Sequence, residues 1–305
     1  MELRHLRYFV VLAEELHFAR AAERLNIAPP TLTVQIQEIE RNLSCRLFLR
    51  TKRSVALTPA GEIFLAEARH VLEQYARAES VGRRAGRGEV GRVEIGYVGS
   101  AAYAGVLQSQ MSRFSERWPG VHLNAREFPM DELPQLVADG TIDIGFVRLP
   151  IAVPRSLRMH TLLRDYFCLA APSPLYRNMN ASVRARDLSN AAFITPEQES
   201  GTYEVARRGR FKPNVIAAPG SLLAVLTHVS LGAGVAVIPS VVRNVVALPG
   251  VNFHRIAGEA IHSEVAAIFR ANESSPTAKH FVQQIHDTEP QHIRQLDWED
   301  AISPP

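Results

Sequence analysis

Five basic side chains fall between Glu40 and Glu62 with no acid among them: Arg41, Arg46, Arg50, Lys52 and Arg53. On a chain whose formal net charge is only +3, such a run marks a surface that attracts phosphates. Just before it, Thr33, Val34 and Gln37 recur at helical spacing. They offer a hydroxyl and a methyl, an apolar branch, and an amide. Those groups suit base edges in a major groove, where amides pair with bases and methyls pack on thymine. A second chemistry is offered at Ser100, and again at Glu199, Ser200, Gly201, Thr202 and Tyr203. Each place lies where an apolar stretch gives way to a helical pattern. A helix start presents free N–H groups and the positive end of a dipole, a seat for a carboxylate.

The elements that would hold these residues follow from periodicity. Leu6, Phe9, Val10, Leu12, Ala13 and Leu16 predict an amphipathic helix over 4–16, and Ala21, Ala22 and Leu25 a short one over 19–25. Pro29 and Pro30 open a third, to about Leu43, with Leu32, Ile36, Ile39 and Leu43 inward. Pro30, Thr33, Val34 and Gln37 then point outward. Two short strands near 48–50 and 54–57 flank the basic turn of Thr51, Lys52 and Arg53. Thr58 is placed to cap a long helix with Pro59 at its first position. Ile63, Phe64, Ala66, Ala68, Val71, Leu72, Tyr75 and Ala78 carry its apolar pattern to about Val81. So long a stripe beside so small a domain predicts a partner helix, hence a dimer. Gly82, Gly86, Gly88 and Gly91 give a hinge composition. From Val93 onward short apolar strands alternate with helices, at 93–98, 121–127, 142–147, 167–171, 192–195, 235–238 and 265–269. That alternation predicts α/β lobes with mainly parallel sheets.

Several function classes are disfavoured. No Gly-x-Ser-x-Gly, no His-Glu-x-x-His and no phosphate loop occurs, and the eleven histidines are scattered. Gly232, Ala233 and Gly234 begin like a dinucleotide fingerprint, but Val237 stands where the third small residue is needed. The two cysteines, Cys45 and Cys168, are too far apart in sequence to suggest a disulfide framework, a metal site or a redox pair. No apolar run reaches the roughly 18 residues that span a membrane, and the charged start is unlike a signal peptide. A soluble chain in a reducing cytoplasm is expected.

The order and spacing of particular residues add a resemblance. Ala21 to Leu25, Gln35 to Glu40, Leu47 to Thr51 and Leu57 to Gly61 resemble the N-terminal signature of LysR-type transcriptional regulators. Asp139 to Asp143 and Gly232 to Pro239 extend the likeness through the C-terminal part. The stretches 16–28, 96–100 and 146–150 resemble the branch responsive to muconate, benzoate and chlorocatechol products. The resemblance implies a winged helix-turn-helix over 1–58, a linker helix and hinge over 59–90, and a two-lobed, periplasmic-binding-protein-like α/β effector domain over 91–305. Lobe one would cover about 91–163 and 267–305, and lobe two about 164–266.

It also implies a function. Such a regulator binds a dyad-symmetric promoter site as a homodimer, commonly a homotetramer, and works with RNA polymerase. It responds to a small organic acid and needs no cofactor, metal or membrane. The DNA-binding residues expected are Pro30, Thr31, Thr33, Val34, Gln37, Arg50, Lys52 and Arg53. Those for the effector are Ser100, Met130, Arg148, Gly201, Thr202, Tyr203 and Leu222. An enzyme or a solute-binding protein on the same two-lobed scaffold is the alternative; neither needs the N-terminal motif. Some positions depart from the family pattern. Pro29, Pro30 and Thr33 stand where Gln, Pro and Ser are usual, and Ser44 where Gly is usual. Met130 replaces a hydroxyl residue of muconate-responsive relatives, which favours a more aromatic or less charged ligand.

Overall fold

The structure is a computed structural model that describes residues 1–51, 54–173 and 182–293. The chain divides into two compact units, residues 1–84 and residues from 85 onward.

In the first unit, α1 (Leu3–Glu15), α2 (Phe18–Arg24) and α3 (Pro29–Asn42) precede a two-stranded ribbon, β1 (Phe48–Arg50) and β2 (Val55–Leu57). The ribbon is antiparallel, with Phe48 opposite Leu57 and Arg50 opposite Val55. Leu16, expected inside the first helix, ends it in a left-handed turn at φ 47° and is exposed. Leu43 is likewise half exposed past the end of α3, while Leu32, Ile36 and Ile39 are fully buried. Phe9 stands at the centre, its ring 5.3 Å from Phe48 and 4.8 Å from Phe64. Burying each such side chain contributes about 1.5–3 kcal/mol.

The long helix α4 (Pro59–Gly86) starts as expected. Thr58 Oγ1 accepts from the Gly61 N–H at 2.9 Å and donates to the Arg46 carbonyl at 2.8 Å, which locks the helix start to the ribbon. The expectation that its stripe lacks a home holds only in part. Phe64, Ala68 and Leu72 pack on the first unit's own core. Ile63, Val71 and Val81 remain exposed. At about 100° per residue they lie within one arc of the helix surface.

The second unit is built on one long strand. β3 (Gly91–Tyr97), α5 (Gly99–Ala102), α6 (Val106–Arg117), β4 (Val121–Glu127), α7 (Leu133–Ala138) and β5 (Ile144–Leu149) make the parallel part of the first lobe. β6 (Leu157–Pro172) then crosses to the second lobe. There lie β7 (Ala192–Pro196), α8 (Ser200–Gly209), β8 (Asn214–Gly220), α9 (Leu222–Ser230), β9 (Ala236–Pro239) and β10 (Val251–His254). β11 (His262–Arg270) returns, and α10 (Pro276–His286) and β12 (Gln291–His292) close the first lobe.

The mainly parallel sheet expected is therefore a mixed one. β11 pairs antiparallel with both β5 and β6, and β6 pairs antiparallel with β9 and β10. The cause is connectivity: a chain that crosses between lobes and comes back must lay its return strand against the outgoing one. β6 changes partner between Tyr166, opposite His262 of β11, and Phe167, opposite Pro239 of β9. Two strands thus join the lobes and leave a crevice beside them.

Candidate functional site

The outer face of α3 is the candidate nucleic-acid surface. Pro30, Thr31, Val34 and Gln37 are exposed, and Thr33 is half buried. Thr33 Oγ1 donates back to the Pro29 carbonyl at 3.0 Å, so its hydroxyl proton is already engaged. Arg50 does not share this face. Its guanidinium bonds Glu40 at 2.9 Å and lies 5.1 Å from the Phe18 ring centroid. The other Glu40 oxygen accepts from the N–H groups of Leu47 at 2.9 Å and Phe48 at 3.2 Å. Arg50 thereby anchors the ribbon to α3, with its side chain 22% exposed. Among the described residues of the basic run, the exposed Arg41 and Arg46 share an open hollow with Gln37 of α3. The basic run contained both, but their placement depends on how the loop after α3 turns. Lys52 and Arg53 lie outside the described residues.

The second candidate is the crevice between the lobes of the second unit. About 480 Å³ of space between atoms lies there, a volume that includes open solvent. Lobe one contributes Gly99, Ser100, Glu127 and Met130, and lobe two Pro196, Glu197, Gln198, Gly220, Ser221 and Leu222. These come from the ends of β4 and β7 and the starts of α5 and α9. The Glu127 carboxylate lies directly against Gly99, so close that a Cβ there would meet its Oε1 at 2.6 Å. Burial and the charges of Asp131 and Glu127 raise the Glu197 carboxyl, while the Met130 N–H stabilises its charged form.

Residues 3–62 match the family described as bacterial regulatory helix-turn-helix protein, lysR family, and residues 86–289 the family described as LysR substrate binding domain. The chain belongs to the LysR family of transcriptional regulators. The HTH-type transcriptional regulator YnfL of Escherichia coli (strain K12) is 35% identical over 288 residues, covering 92% of this chain and 96% of that protein. AlsR of Bacillus subtilis (strain 168) is 32% identical over 288 residues, covering 92% and 94%. Among solved structures, CbnR complexed with its target DNA has a TM-score of 0.80 at 26% identity, covering 94% of this chain and 99% of that one. This LysR regulator therefore binds DNA through its helix-turn-helix and carries a substrate-binding domain. The enzyme and transport readings fall with that assignment.

Of the effector residues expected in the regulator, the crevice brings together Ser100, Met130 and Leu222. The other four are not among its lining. Arg148 is wholly buried. Its Nη1 lies 3.1 Å from Asp165 and donates to Ser263 at 2.6 Å, and its Nη2 donates to the Ser100 carbonyl at 3.2 Å. It thus supports the crevice floor from beneath, and its charge is answered by Asp165. Gly201 packs against the Phe167 ring, where a Cβ would meet the ring at 2.7 Å. Thr202 is fully buried and Tyr203 is half exposed. The start of α8 therefore turns into lobe two, and the starts of β8's following turn and α9 take its place. Sequence reasoning missed Glu127, Glu197 and Gln198, whose spacing carries no motif. Cys168 is buried in β6, its thiol pushed up to about 12 by burial, and Cys45 belongs to the other unit.

Proposed function

We propose that the regulator reads a dyad-symmetric promoter site through α3 and that a small molecule held in the interlobe crevice sets its activity. On the DNA side, Thr31, Thr33, Val34 and Gln37 address base edges, with Pro30 fixing the entry of the helix. Arg41 and Arg46, with Lys52 and Arg53 of the basic run, hold phosphates and set register. On the effector side the contacts are Ser100, Met130 and Leu222, with Arg148 acting from beneath. The supporting observation is that the crevice is walled by segments of both lobes, so a ligand there favours their approach. It shifts the regulator only by as much as its affinity differs between the two states. The protein works in the cytoplasm, where its promoter and RNA polymerase are.

The motif likeness to the muconate-, benzoate- and chlorocatechol-responsive branch supports a related architecture. It does not extend to the ligand, because the Glu127 carboxylate lies against Gly99, beside the junction at which an organic acid's carboxylate was expected. The test of the crevice is a thermal-shift screen of small molecules on the full chain. A ligand at 100 times its Kd adds about 2.7 kcal/mol of stability. Met130→Trp, which fills the crevice, removes every such shift and leaves promoter binding intact. Shifts that survive Met130→Trp place the effector elsewhere.

The exposed apolar residues of α4 support a dimer through that helix. Ile63→Glu combined with Val71→Glu gives monomers in light scattering. These positions, not Phe64 and Leu72, are the ones to change, since the latter pair packs in the unit's own core. An intact oligomer in the double variant removes α4 from the interface.

A further inference from the structure

The residues lining the interlobe crevice include two carboxylates, Glu127 and Glu197, and no lysine or arginine. Both glutamates are exposed residues of that lining, and the Glu197 carboxylate accepts from the Met130 N–H. Asp131 adds a third negative charge close enough to raise Glu197. The guanidinium of Arg148 donates to the Ser100 carbonyl from a buried position and is already paired with Asp165. An independent observation comes from Gln198, which lines the same space and is only 6% exposed. Its Nε2 donates to the Leu149 carbonyl. A carbonyl can be met only by the NH2 end of an amide, so the Gln198 oxygen is left over. That Oε1 is buried with no hydrogen-bond partner. A buried acceptor without a donor costs about 1–3 kcal/mol, a cost that a donor-bearing ligand removes.

We propose that the ligand of this crevice is a compact organic ammonium ion, its protonated amine held between Glu127 and Glu197 with the Gln198 amide oxygen as a further acceptor. This rests on the crevice being the effector site, as proposed above. Charge-assisted hydrogen bonds from an ammonium to carboxylates are the strong kind. A metal ion is disfavoured, because no group of three metal-ligating side chains converges among the described residues. The other walls are Met130, Leu222, Pro196 and Pro239, which suit a short hydrocarbon or ring. Ser100 and Ser221 supply hydroxyls for a second polar group on the ligand. Gly99 has a role in this reading: any side chain there would displace the Glu127 carboxylate.

The test is calorimetry on the full chain with two matched pairs, benzylammonium against benzoate and butylammonium against butyrate. The expected result is that at least one ammonium ion binds at millimolar concentration and about tenfold tighter than its carboxylate partner, a difference of about 1.4 kcal/mol. Glu127→Gln combined with Glu197→Gln then erases the preference without lowering the melting temperature, since it removes like charges. Met130→Trp blocks binding. If neither ammonium ion binds, or if the carboxylates bind better, the inference is overturned. Carboxylate binding that Met130→Trp abolishes leaves the crevice as effector site and overturns only the ligand class. Binding that Met130→Trp does not touch overturns both.

Discussion

The DNA-binding unit closes its interior around a carboxylate, whereas the effector unit closes around a guanidinium. Glu40 is 7% exposed, and its partners are two main-chain N–H groups and Arg50, all within ten residues along the chain. Arg148 is 0% exposed, and its partners are Ser100, Asp165 and Ser263, up to 115 residues away. The Glu40 cluster staples a loop to the helix before it and keeps one edge, Arg50, in contact with water. The Arg148 cluster ties α5, β5, β6 and β11 together where the two lobes meet, with no water to answer a lost partner. Burial pushes the Asp165 carboxyl above its ordinary value, and the Arg148 charge opposes that shift. A local clamp and a long-range one thus use the same two side-chain types at different risk.

The risk can be measured. Asp165→Ala leaves a guanidinium buried without its counter-charge, and the expected loss is about 3–5 kcal/mol in denaturant unfolding of the second unit. Glu40→Ala leaves two N–H groups unmet, but water can reach Arg50, so the expected loss is about 1–3 kcal/mol in the first unit. A larger loss for Glu40→Ala than for Asp165→Ala inverts the comparison and shows that sequence distance, not burial, governs the cost. Asp165→Asn sharpens it. Asparagine keeps one acceptor for Arg148, so a loss as large as that of alanine assigns the effect to charge rather than to the hydrogen bond.

The same contrast explains what was legible in the sequence. The helix-turn-helix, the ribbon and the Thr58 cap rest on contacts close along the chain, and their signals sit in the local pattern: Pro29 opening α3, Leu32, Ile36 and Ile39 spaced at helical period, Thr58 before Pro59. The contact of Arg50 with Glu40 and Phe18 was not legible, because a basic run looks the same whether or not its arginine also folds onto a neighbouring carboxylate and ring. In the second unit most strands were legible one by one, but β8, β10 and β12 were not, and neither was the pairing. The return of β11 between β5 and β6 is a fact of connectivity that alternation does not encode. Ser100 was legible from its place where an apolar stretch gives way to a helical pattern, and Met130 and Leu222 were named through family likeness. Glu127, Glu197 and Gln198 were not, because each sits in a plain stretch and acquires meaning only when β4 and β7 end at the same crevice.

The smallest effects belong on the surface of α3, where no core is disturbed. Gln37→Ala removes an amide aimed outward from the helix, and the expected cost is about 1–3 kcal/mol against the specific promoter site with little change against random DNA. Arg46→Ala weakens both alike and lowers the salt slope by about one unit. Thr33 divides the possibilities further. Its hydroxyl proton is already committed to the Pro29 carbonyl, so it does not donate to a base, and the methyl is the group proposed to touch one. Thr33→Val keeps a methyl in that place and gives up a hydroxyl that faces the helix, so promoter affinity stays within about 0.5 kcal/mol of the parent, the range of surface changes that break no contact. Thr33→Ser keeps the hydroxyl and loses the methyl, and it is the variant expected to lose promoter affinity. Gel-shift titrations of the two variants on one promoter fragment decide the matter. Loss in Thr33→Val with retention in Thr33→Ser means that the hydroxyl swings away from Pro29 to meet a base, and that α3 reads its site with hydrogen bonds at this position rather than with a methyl.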